Sequence, residues 1–75
     1  MTNLLLDTIG LNCPLPILKT KKALRNVPVG STLEVLATDP GAVDDFEAFC
    51  SVAGHELLES TVERGVYKFV TKREK

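Results

Sequence analysis

Residues 39–54, "DPGAVDDFEAFCSVAG", decide the fold, because they carry the marks of one amphipathic helix from start to stop. Asp39 can cap a helix N-terminus, and Pro40 suits the first helical position, where the backbone N–H has no intrahelical partner. Acidic residues crowd the first turns, where the helix macrodipole favours negative charge. Ala42, Phe46, Phe49, Cys50 and Ala53 recur as an apolar stripe, and Gly54 supplies the stop. A helix with one apolar stripe must lay it on another layer.

Moving outward, "TLEVLAT" (32–38) alternates Leu33, Val35 and Ala37 against Glu34, Leu36 and Thr38, the pattern of a strand with one buried face. Upstream, "NVPVGS" (26–31) ends a helix, since Pro28 cannot continue one and Gly30 permits a turn. That helix follows Cys13: Ile17, Leu24 and Val27, with Thr20 in register, fall on one side, and Lys19, Lys22 and Arg25 fall elsewhere. "LLLDTI" (4–9), closed by Gly10, reads as a short strand. Downstream, "HELLESTVE" (55–63) and "GVYKFVTK" (65–72) alternate and meet at "ERG", a hairpin turn. The order is βαβαββ. The expected fold is α+β: a two-layer α/β sandwich with a four-stranded mixed sheet and both helices on one face. The first β-α-β segment implies a parallel pairing by crossover.

At 75 residues the chain has room for one domain, expected over 1–75, with one modest core. A net charge of −1 argues against a dedicated nucleic-acid binder. Charge is segregated, however. Lys19, Lys21, Lys22 and Arg25 are all basic, whereas every charge from Asp39 to Glu63 is acidic, and the tail turns basic again. No apolar window approaches a membrane span, and the leading "NLLLD" is far short of an export signal. The expected location is cytoplasmic, where thiols stay reduced. Cys13 and Cys50 are too far apart for a CxxC arrangement, and His55 cannot complete a metal set with them; no cofactor and no metal are expected.

Cys13 stands between Asn12 and two prolines, where a helix should begin. As helix N-cap it would make Pro14 the first helical residue and Pro16 the third, positions that tolerate proline because those N–H groups are unpaired anyway. A thiolate there would feel the positive end of the dipole, so a lowered thiol pKa is expected. Two readings stand: a small capping residue tucked under the sheet, or a displayed reactive thiol. The proline bracket and polar Asn12 favour the second. Cys50, beside Phe46 and Phe49, reads as a small core hydrophobe, and His55 as surface. Lys19, Lys22 and Arg25 are either a solvated helix face or a docking surface beside the thiol.

"LDTIGLNCPLPIL", "VGSTLEVLATDPGAVDDFEAFC" and "GHELLES…YKFVTKR" resemble the TusA/SirA-like family of small sulfur-carrier proteins over essentially the whole chain. The resemblance implies that Cys13 carries sulfane sulfur as a persulfide, with Pro14 and Pro16 presenting it. It implies a donor of the cysteine desulfurase or rhodanese type, and an acceptor sulfurtransferase in tRNA thiolation, molybdenum-cofactor biosynthesis or sulfur oxidation. Between the prolines the family often has an acidic or polar residue; here it is Leu15. No direct contact with nucleic acid or membrane is implied, and the chain is expected to act as a monomer. The rival is a regulatory interaction module whose basic first helix binds a partner while Cys13 only caps it. A thiol–disulfide oxidoreductase ranks last, for want of a resolving cysteine.

Overall fold

A computed structural model of the chain describes residues 3–75. The elements are β1 (Asn3–Thr8), α1 (Leu15–Leu24), β2 (Thr32–Ala37), α2 (Ala42–Ala53), β3 (Glu56–Glu63) and β4 (Val66–Lys72), in the expected βαβαββ order. The four strands form one mixed sheet in the order β1-β2-β4-β3. β1 and β2 run parallel, as the crossover requires, and the other two pairings are antiparallel. β2 and β4 are therefore the central strands. Their inward residues Leu33, Val35, Ala37 and Phe69 are buried and form the floor of the core. The helices cover that floor with Leu24 from α1 and Ala42 and Phe46 from α2, and Val27 closes the end after α1.

The stripe read from residues 39–54 does what its spacing demands. Phe46 is fully buried and stacks on Phe69, with ring centroids 4.2 Å apart and planes 9° from parallel, which clamps α2 onto β4. Gly54 ends the helix in the left-handed region (φ 79°), and its N–H reaches back to the Cys50 carbonyl. The start of α2 differs from expectation. Asp39 and Pro40 lie before the helix, which begins at Ala42 with Gly41 as its cap residue. Asp39 Oδ1 accepts the Gly41 N–H (3.2 Å) in a local turn, so its other oxygen is free to reach elsewhere.

On α1 the inward residues are Pro16, Thr20 and Leu24. Buried Thr20 donates its hydroxyl to the Pro16 carbonyl (2.8 Å), so a polar residue sits in the core with its partner made. The last carbonyls of α1 are held by Arg73, which follows β4. Its Nη1 donates to the oxygens of Leu24 (3.1 Å), Arg25 (3.4 Å) and Val27 (2.7 Å). A cation there answers both the unpaired carbonyls and the negative end of the dipole. The β3–β4 connection is a two-residue hairpin in which Arg64 (φ 53°) and Gly65 (φ 79°) both take positive φ, as a type I′ turn requires.

Candidate functional site

Because β1 and β2 are parallel, their carboxyl ends lie at the same edge of the sheet, and the loops that leave them are neighbours. The loop after β1 carries Cys13; the loop after β2 carries Asp39 and leads into α2. The two are tied together. Gly10 N–H donates to Thr38 Oγ1 (2.9 Å), and Cys13 N–H donates to Asp39 Oδ2 (2.6 Å). Leu15 N–H closes a turn onto the Asn12 carbonyl (2.8 Å), and the Cys13–Pro14 peptide is cis. The expected cap position moves by one residue: Pro14, not Cys13, precedes the helix, and its carbonyl accepts the first helical bond, from Leu18 N–H (3.1 Å). Cys13 thus stands outside the helix, exposed and not in a disulfide.

Its thiol donates to Asp45 Oδ2 across a 2.6 Å contact. The expected lowering of the thiol pKa is reversed. The Asp45 hydrogen bond raises it most, followed by desolvation and the negative charges of Asp45 and Asp39. The thiol thus faces two carboxylates near the start of α2, while the Leu15 N–H of α1 is already engaged with Asn12.

Cys13 opens onto a groove of about 320 Å³ between the helices. One wall is Pro14, Ile17 and Lys21; the other is Asp45, Ala48, Phe49 and Val52. The lining is mostly apolar, and Val52 is 89 % exposed, an unusual place for a valine on a helix. Lys21 Nζ lies 5.8 Å from the centre of the Phe49 ring, a cation–π distance.

The two prolines part company. Pro14 is exposed and lines the groove beside the thiol, while Pro16 is buried against the core. The basic residues of α1 divide as well. Lys19 and Lys22 are exposed around a hollow with Leu6, Ala23 and Asn26, away from the thiol groove. Arg25 lies with Lys21, His55, Arg73 and Lys75 around a second hollow, which shares Lys21 and Phe49 with the groove. Lys21, not Lys19, Lys22 or Arg25, lines the groove that Cys13 opens onto. Cys50 is buried with its sulfur 3.9 Å from Thr71 Oγ1; burial raises its pKa and the Thr71 contact lowers it in part. His55 Nδ1 accepts the Glu74 N–H (3.1 Å), and its ring stands 5.9 Å from that of Phe49. Among the described residues no group of three or more His, Cys, Asp or Glu could hold a metal ion.

The structure is a small mixed-sheet sandwich that displays a reduced cysteine ahead of its first helix, and residues 5–73 match the family described as "Sulfurtransferase TusA". The chain belongs to that family. It is 53 % identical over 68 residues to a protein of Allochromatium vinosum named "Sulfur carrier protein TusA", covering 91 % of this chain and 90 % of that one. It is 50 % identical over 64 residues to "Putative sulfur carrier protein YrkI" of Bacillus subtilis, covering 85 % of each. The crystal structure of a SirA-like protein from Desulfitobacterium hafniense superposes with a TM-score of 0.82 over 96 % of this chain and 99 % of that one. At 20 % identity this likeness speaks for the fold alone.

Proposed function

We propose that this chain is a sulfur carrier that holds sulfane sulfur as a persulfide on Cys13. Family membership supports the carrier role, and one observation points to the residue: Cys13 is an exposed, reduced thiol at the head of an open groove. Loading follows thiol–disulfide exchange. The Cys13 thiolate attacks the outer sulfur of a donor persulfide, the donor's S–S bond breaks, and the donor cysteine leaves as a thiolate. Unloading repeats the step in reverse roles, with an acceptor thiolate attacking the outer sulfur on Cys13. One sulfur atom moves each time, with no external oxidant or reductant.

A cysteine desulfurase or rhodanese-type protein is the donor, and an acceptor sulfurtransferase serves tRNA thiolation, molybdenum-cofactor biosynthesis or sulfur oxidation. The carrier works in the cytoplasm as a single-domain monomer. Pro14 fixes the backbone beside the thiol, and the basic residues of α1 offer docking contacts on two sides, Lys19 and Lys22 on one and Arg25 on the other. No helix among the described residues is long and apolar enough to cross a membrane.

Intact-protein mass spectrometry without reductant tests this, after incubation with a cysteine desulfurase and cysteine and, in parallel, with inorganic polysulfide. Wild type and Cys50→Ala should gain one sulfur that reduction removes. Cys13→Ser should gain none while keeping its fold, since a serine hydroxyl can donate to Asp45 in place of the thiol. Wild type that stays unmodified with both donors would refute the carrier reading.

A further inference from the structure

Asp45 accepts the hydrogen bond of the Cys13 thiol, and neither its charge nor its position is explained by the core. It is half-buried on the groove wall, in the row Asp45, Phe49, Val52 that faces α1. Its neighbour Asp44 is exposed and outside the groove, so dipole stabilisation of α2 is available without Asp45. Asp39, the second carboxylate, accepts the backbone N–H of Cys13 and so anchors the loop, not the sulfur. The cation facing the same groove, Lys21, stands over the Phe49 ring.

We propose that Asp45 is a positioning residue for sulfur transfer: its carboxylate parks the free carrier's Cys13 as a hydrogen-bonded, protonated thiol, and a docked donor releases it by setting a cationic side chain against that carboxylate. The inference rests on the carrier reading of Cys13. In the parked form the S–H is directed at Asp45 Oδ2, and an adjacent carboxylate opposes ionisation by like charge. When a partner's Lys or Arg pairs with Asp45, the acceptor of that hydrogen bond is taken and its charge is offset. The thiol proton then passes to solvent, and the thiolate attacks the donor persulfide. The donor's S–S bond breaks, a new one forms on Cys13, and the donor cysteine leaves as a thiolate. Sulfur uptake becomes conditional on docking, which shields the thiol from small electrophiles in between. After loading, the outer sulfur is a stronger acid than a thiol. Its negative charge is repelled by Asp45 and turned toward solvent, where an acceptor meets it.

The test compares two reactions of the same sulfur in a Cys50→Ala background. Alkylation of Cys13 by iodoacetamide, followed by intact mass from neutral to alkaline pH, reports the thiol without a partner. Persulfide loading by a cysteine desulfurase reports it with one. Asp45→Asn should shift the alkylation midpoint to lower pH and speed alkylation at neutral pH, yet load from the desulfurase no faster than the parent. Asp44→Asn, the same charge change outside the groove, should leave the alkylation midpoint in place. An unmoved midpoint in Asp45→Asn would overturn the parking role, and loading that rises in proportion to alkylation would overturn release by the partner. If the parent takes up sulfur from neither desulfurase nor polysulfide, the carrier reading fails and the release step with it. The alkylation profile then still decides whether Asp45 holds the thiol.

Discussion

Replacing Phe46 with leucine separates the two jobs of α2, holding the fold and walling the groove. Phe46 is 0 % exposed and lies flat on Phe69 at 4.2 Å. Exchanging its ring for an isobutyl group removes about 2 kcal/mol of apolar burial, at ~0.8 kcal/mol per methylene-sized group. Loss of the aromatic pair removes a further ~0.5–1.5 kcal/mol, and partial collapse of the site returns some of this, leaving a cost of about 2–3 kcal/mol. For a domain of this size each kcal/mol moves the melting midpoint by roughly 4–8 °C, so Phe46→Leu should melt about 10–20 °C lower. Phe49 comes from the same stripe but is only half-buried at the groove, and Phe49→Leu should cost less than about 1 kcal/mol. Paired thermal melts followed by far-ultraviolet circular dichroism read both. Equal midpoints for the two variants would refute the assignment of Phe46 to the core and Phe49 to the groove.

Two further predictions concern the ends of the helices. Arg73→Met keeps the aliphatic stem but leaves the α1 carbonyls without their cation; it should cost about 1–2 kcal/mol, read as a lower urea midpoint at unchanged slope. Burial raises the Cys50 pKa in the folded chain, so folding binds that proton more tightly than the unfolded chain does. The resulting stability is whole below the unfolded thiol's pKa and is lost as pH climbs through the folded one. Urea titrations at rising alkaline pH should therefore show a steeper loss for wild type than for Cys50→Ala, and parallel losses would exclude a Cys50 pKa raised by folding.

The element order, the inward faces of β2 and α2, and the exposure of Cys13 are all legible in the sequence, because each depends on local spacing or on turn chemistry. Leu33, Val35 and Ala37 are inward as their alternation requires, and Phe46 and Cys50 as their helical spacing requires. The surroundings of the thiol are not legible in the same way. Asp39 and Asp45 lie 26 and 32 residues from Cys13, and they reach it only because β1 pairs beside β2 in parallel. In sequence both already have sufficient explanations, as a cap and as a first-turn acid, and the dipole argument alone does not separate Asp45 from Asp44. The signal that could have found Asp45 is its phase. It shares a helical row with Phe49 and Val52, and an exposed valine beyond a half-buried phenylalanine marks a row that faces something. The direction of the thiol pKa is hidden for the same reason, since the dipole expected at a helix start is local and the two carboxylates are not. Arg73 is a similar case: it reads as part of a basic tail, yet it caps a helix that ends 49 residues earlier.

The register of the sheet also governs how this protein can be attached to other things. Thr8, Ala37, Tyr67 and Val62 share one row at the thiol's end, whereas Asn3, Thr32, Lys72 and Glu56 share the row at the opposite end. The chain therefore enters β1 and leaves β4 on the side turned away from Cys13. A fused domain, an affinity handle or a surface tether joined before β1 projects backward and leaves the groove open, whereas one joined after β4 starts beside the second hollow, next to Lys21 and Phe49.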